Sequence, residues 1–88
     1  MVKLRFFGAL RSFGDASGFF ELPVESGMVV PAGELKSLLA REFAKRGLNA
    51  EPALITESVI ADDENIIQDH EPVMVRDGLA VLPPVCGG

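Results

Sequence analysis

The sequence predicts an α+β fold, a mixed sheet of about five strands with one main helix packed across one face. Three observations carry this. The opening residues Val2, Leu4 and Phe6 alternate with Lys3, Arg5 and Phe7, the period-two pattern of a strand with one buried face. Only one stretch repeats apolar residues at helical spacing: Leu35, Leu38, Leu39 and Phe43 fall at i, i+3, i+4 and i+8, a single stripe on a helix. Short apolar runs on both sides of it then give the order strand, strand, helix, strand, strand, strand.

Taken in order, Phe7 ends the first strand by placing an aromatic on its polar side. Residues 8–18 are turn-rich, with one helical turn around Leu10 to Phe13. Phe19 to Val24 make the second strand, closed by Glu25-Ser26-Gly27, and the short link makes the two strands an antiparallel hairpin. Pro31 suits the first helical position. Lys45 and Arg46 complement the negative end of the helix dipole, and Gly47 is a natural residue just past its end. Residues 48–53 connect to a third strand over Leu54 to Ala61. Asp62-Asp63-Glu64-Asn65 turns the chain into Ile66-Ile67-Gln68, residues 69–78 are irregular, and Leu79 to Leu82 supply the last strand.

Gly47 returns the chain across the sheet, so the last strand is expected in the middle, beside the first and parallel to it. This is the β-grasp arrangement used by ubiquitin. The expected core is Val2, Leu4, Phe6, Leu22, Leu35, Leu38, Leu39, Phe43, Ile60, Ile67, Leu79 and Val81. At roughly 1.5–3 kcal/mol for each fully buried side chain, such a core can offset the ordering cost of a short chain.

Composition narrows the function classes. Eighty-eight residues make one small domain, and 48% hydrophobic with 24% charged residues argues against disorder. No apolar stretch approaches the roughly 20 residues that span a bilayer. The alternating N-terminus lacks the continuous apolar segment of a signal peptide, so a cytoplasmic location is expected. Residues 1–47 carry seven basic and five acidic side chains, whereas residues 48–88 carry one and eight. That balance is the reverse of what a nucleic-acid binder needs. A single cysteine, Cys86, excludes an internal disulfide, and His70 alone excludes a His-rich metal site. Gly8 and Gly14 are not followed by the Gly-Lys-Ser/Thr of a phosphate loop. Asp62, Asp63 and Glu64 read as a solvated acidic turn rather than a cation site.

The end of the sequence is the most distinctive stretch. Pro83 and Pro84 stop the last strand, because neither has an N–H to give a sheet and each fixes φ. They divide the chain into a β-grasp domain, residues 1–83, and a flexible tail, residues 84–88. The four residues Val85-Cys86-Gly87-Gly88 extend about 13 Å at roughly 3.3 Å each. Two glycines without Cβ atoms suit a carboxylate that is threaded through a narrow channel into another protein's active site.

Lys3-Leu4-Arg5-Phe6-Phe7-Gly8-Ala9-Leu10-Arg11 and Leu79-Ala80-Val81-Leu82-Pro83-Pro84-Val85-Cys86-Gly87-Gly88 together resemble the small subunit of molybdopterin synthase and its relatives among the ubiquitin-like sulfur carriers. Pro72-Val73 and Asp77 fall where that family has the loop before its last strand, and Leu35 to Phe43 match its helix. The turns are individual: Asp63-Glu64 stands where the family usually has Asn-Gly, and Val75-Arg76-Asp77-Gly78 where it usually has Asp-Gly-Asp-Glu.

The resemblance implies that Gly88 is adenylated by an adenylyltransferase related to ubiquitin-activating enzymes, which uses ATP. A sulfur donor then converts it to a thiocarboxylate. The tail next enters the large synthase subunit and gives its sulfur to cyclic pyranopterin monophosphate, forming molybdopterin. Gly88 carries the sulfur and Gly87 lets the tail pass the partner's constriction. Phe7, Arg11, Leu82, Pro83, Pro84 and Val85 are the expected partner-binding residues, with Phe7 and Leu82 on the face opposite the helix. No cofactor or metal is expected on this chain, and no activity from it alone. The same tail also suits a sulfur carrier for thiamine or tRNA thiolation, or a ubiquitin-like modifier conjugated through Gly88. An inert β-grasp binding module is the remaining alternative.

Overall fold

The computed structural model describes residues 1–84. In chain order they form β1 (Val2–Phe6), a 3-10 helix (Gly8–Phe13), β2 (Phe19–Leu22), β3 (Val29–Pro31), α1 (Ala32–Lys45), α2 (Pro52–Thr56), β4 (Val59–Ala61), β5 (Ile66–Ile67), β6 (Pro72–Met74) and β7 (Ala80–Leu82). The main sheet has the order β2-β1-β7-β4-β5. β1 pairs antiparallel with β2 and parallel with β7, which in turn pairs antiparallel with β4. With α1 across one face, this is the α+β β-grasp arrangement, and its last strand is central as expected. Among the described residues no helix is long and apolar enough to cross a membrane.

Alternation in β1 does what its sequence dictates. Val2, Leu4 and Phe6 are buried under α1, while Lys3 and Arg5 face away. Phe6 stacks on Phe20 with ring centroids 4.9 Å apart, and Phe43 of α1 tilts against both rings. Phe13, brought round by the 3-10 helix, lies 5.1 Å from the Phe43 centroid. Aromatic pairs of this kind contribute about 0.5–1.5 kcal/mol beyond the area they bury. Leu10 of the 3-10 helix is also fully buried.

α1 begins one residue later than its sequence suggests. Pro31 is extended, with ψ at 143°, and precedes the first helical residue Ala32. The helix ends as Gly47 predicts. With φ at 67°, Gly47 donates its N–H to Ala44, and the Leu48 N–H reaches the Phe43 carbonyl. These two bonds satisfy carbonyls that the last turn leaves free. On its buried side α1 carries Ala32, Leu35, Leu39 and Phe43, whereas Leu38 is only half-buried.

Two expectations are corrected. The strand expected over Leu54 to Ala61 begins only at Val59, because residues 52–56 form α2. Pro52 occupies the start of that helix, where a missing N–H costs nothing. Ile55 of α2 is buried, and so is Ser58, two residues past the helix end. The stretch 69–78, expected to be irregular, contributes β6, which pairs antiparallel with β3 as a separate two-stranded ribbon. Val30 and Val73 face each other in the core, while Val29, Pro31, Pro72 and Met74 face out. Apolar residues on both sides of this ribbon erase the polar–apolar alternation that marks a strand.

Lys36 is the unexpected core member, only 6% exposed. Its Nζ donates to the Thr56 carbonyl at 2.8 Å and the Ser58 carbonyl at 3.1 Å, and pairs with Asp69 Oδ1 at 2.8 Å. All three ammonium protons therefore have acceptors, as burial of a charge demands. The lysine ties α1 to the junction of α2 with β4.

Candidate functional site

The site is built where β7 leaves the sheet. Its place is fixed by the parallel ladder to β1, in which the Arg5 N–H donates to Leu79 at 2.8 Å and the Phe7 N–H to Val81 at 3.3 Å. Phe6 and Val81 are register partners and both point under α1. One step further along, Phe7 and Leu82 therefore lie side by side on the opposite face. Across β7, Val59 is the register partner of Leu82. Val59, Leu82 and Phe7 thus form one row of half-buried apolar side chains across the three central strands.

A second row lies behind the first. Ala61 pairs with Ala80, and Ala80 with Arg5. Ile66, the β5 partner of Ala61, extends the apolar surface and is 58% exposed. The Arg5 guanidinium lies over the Phe7 ring, 5.2 Å from its centroid. That is cation–π distance, and the ring is partly shielded by it.

Beyond Leu82 the chain runs against the 3-10 helix. Gly8 has φ at +56°, and a Cβ added to it would sit 2.8 Å from Pro83 Cγ. Glycine at residue 8 is what lets the proline ring pack there, since a side chain would need both a left-handed backbone and the space the ring fills. Pro84 follows, half-buried.

Of the residues singled out from sequence, Phe7, Leu82, Pro83 and Pro84 are gathered at this exit. Arg11 lies toward the β2 side of β1. Its Nε lies 3.4 Å from where a Gly18 Cβ would be, and Gly18 accepts the Phe6 N–H on the β2 side of β1. Leu82 flanks β1 from the β7 side. Val85, Cys86, Gly87 and Gly88 lie outside the described residues, so the tail expected from residue 84 shares only Pro84 with them.

Sequence reasoning missed Val59, Ile66 and Arg5. The first two follow from the register of β4, which the misread strand over residues 54–61 concealed. Arg5 is the outward member of the β1 alternation two residues before Phe7, and that spacing could have paired them.

The remaining polar features are structural. The Asp62 carboxylate accepts the Glu64 and Asn65 N–H groups at 2.9 and 2.7 Å, and these bonds hold its carboxyl below the usual range. Asp15 is lowered in the same way by the Phe19 and Ser17 N–H groups. Among the described residues no three His, Cys, Asp or Glu side chains converge to hold a metal ion. A groove beside α1 is lined by Gly33, Lys36, Ser37, Ala40, Arg41 and Asp69. Its central ammonium is already engaged on three sides.

Compared with family models and with curated proteins, the sequence matches none.

Proposed function

We propose that this chain is a sulfur carrier protein, the small subunit of a molybdopterin synthase, which carries sulfur as a thiocarboxylate on Gly88. The observation that carries the reading is the exit of β7. A central strand delivers Leu82 beside Phe7, and Pro83 then packs on Gly8, so the chain leaves the sheet beside an apolar face. A protein that takes the tail into its active site can cover that face in the same encounter.

The chemistry follows from the residue types. A carboxylate is a poor electrophile. An adenylyltransferase overcomes this by joining the Gly88 carboxylate to the α-phosphate of ATP, with release of pyrophosphate. Attack by hydrosulfide released from the sulfur donor forms the C–S bond, breaks the C–O bond to AMP, and leaves a thiocarboxylate once the S–H proton is lost to solvent. The large synthase subunit then accepts that sulfur onto cyclic pyranopterin monophosphate. ATP is used by the activating partner, and this chain supplies the carried group and the docking face.

The test is intact mass after incubation with ATP, the adenylyltransferase and a sulfur source. The reading expects an oxygen-for-sulfur exchange on Gly88. It also expects molybdopterin to form when the large subunit and cyclic pyranopterin monophosphate are added. Exchange followed by transfer only to a thiamine or tRNA thiolation system would move the acceptor. Isopeptide-linked products would make the chain a modifier. An unchanged mass would remove the carrier role altogether.

A further inference from the structure

We infer that Arg5 selects the partner: the surface that covers the Phe7–Leu82–Val59 row presents a carboxylate beside its apolar recess, and that carboxylate pairs with the Arg5 guanidinium. The inference rests on the carrier reading and adds the chemistry of the partner's surface to it.

The side chains nearest Arg5 across the strands and beneath its guanidinium are apolar, and the charged residues of the same face, Lys3 and its register partner Glu21, lie one row further back. Phe7 lies under its guanidinium, Phe19 is its register partner on β2, and Ala80 is its partner on β7. Three ion pairs are formed among the described residues, and Arg5 is in none of them. Nor does its side chain donate to any acceptor among them. Five N–H donors in a fixed fork are therefore left for water in the free protein. The ring beneath holds the fork in place, so little further order is lost when a partner engages it.

Docking changes what this arrangement costs. A partner that buries Phe7, Leu82 and Val59 also strips water from the guanidinium between Phe7 and Ala80. A cation dehydrated without a counter-charge is strongly unfavourable. A carboxylate accepts two parallel N–H bonds from such a fork and removes that cost. The net charge of −5 does not contradict a local demand for an acid. Charges beyond about 8 Å are largely screened at physiological salt.

The experiment measures KM and kcat for thiocarboxylation of Gly88 by the adenylyltransferase across a salt series, with intact mass as readout. Wild type, Arg5→Lys, Arg5→Met and Arg5→Glu are compared. Wild-type KM should rise with salt, Arg5→Met should raise KM about tenfold at low salt and abolish most of the salt dependence, and Arg5→Glu should raise KM further. Arg5→Lys should keep the salt dependence with a smaller loss. kcat should stay near wild type throughout, and the melting temperature should fall by a few degrees at most, the share of the Arg5–Phe7 contact, a split that a merely structural role would not produce. Equal KM values for wild type and Arg5→Met, or a salt-independent wild type, would overturn the pairing while leaving the carrier reading intact. No mass change in wild type would sink the carrier reading, and this inference with it.

Discussion

The Phe7 N–H donates to the Val81 carbonyl at 3.3 Å, and this bond sets an aromatic ring beside Leu82 on the sheet face that α1 leaves open. The ring is half-buried and contributes little to the core beneath Phe6. Phe7→Asp should therefore cost about 1 kcal/mol or less of stability, chiefly the contact with Arg5. Partner affinity should fall at least about tenfold, because aromatic anchors at the centre of an interface carry much of its energy. Calorimetric melting and titration against the adenylyltransferase or the large synthase subunit check both halves. Equal loss of stability and affinity would mean that Phe7 belongs to the core.

Lys36 allows a second prediction, on stability alone. Lys36→Met keeps the aliphatic stem and removes the ammonium, which leaves the Thr56 and Ser58 carbonyls without this donor. The cost should be about 2–4 kcal/mol. For a domain of this size that lowers the melting midpoint by roughly 10–20 °C. Asp69→Asn, at the exposed end of the same pair, should cost far less. Urea unfolding of the two variants measures the difference, and similar losses from both would contradict the role given to the buried carbonyls.

Most of the fold was legible because its long-range order follows from local signals. The β1 alternation, the α1 stripe and Gly47 each specify one element, and together they leave the last strand only the central slot. The ribbon of β3 and β6 escaped because Pro31 and Pro72 argue locally against strand, while their register partnership is a tertiary fact. α2 escaped because Ile55 and Thr56 favour strands in isolation, and only the turn of helix from Pro52 places Ile55 in the core. The site was legible in part. Phe7 and Leu82 follow from two alternating strands laid parallel, but Val59 depends on where β4 begins. Lys36 reads as a solvent-facing residue between Leu35 and Leu38 until the backbone carbonyls that receive it are known.

Acid should weaken the protein through Asp15 and Asp62. Both carboxyls are held below the ordinary Asp value by backbone N–H donors. A depressed folded pKa contributes stability that is present above the unfolded value, about 3.9. That contribution is lost as pH falls through the lower folded value. Asp62→Asn should therefore be less stable than wild type at neutral pH, and its stability should decline less on acidification. The two curves should converge once the carboxyl is protonated. Urea midpoints measured from neutral to strongly acid pH give the comparison. Parallel curves over that whole range would show that the Asp62 charge has no part in holding the turn.

Removal of Gly88 tests the proposed carrier role apart from the fold. Every buried residue described, from Val2 to Val81, precedes the tail, so the melting temperature of the truncated protein should match wild type. The chemistry should not survive. The carboxylate would move to Gly87 and fall short of its place by about 3.3 Å, and a misplacement of about 1 Å already costs on the order of 100-fold in rate. Thiocarboxylate formation and sulfur transfer should both drop by at least that factor, read by intact mass and by molybdopterin yield. Gly88→Ala keeps the length and the carboxylate but adds a Cβ in the proposed channel, so it should retain more activity than the deletion while still falling below wild type. Full transfer by the truncated protein would mean that Gly88 carries no sulfur.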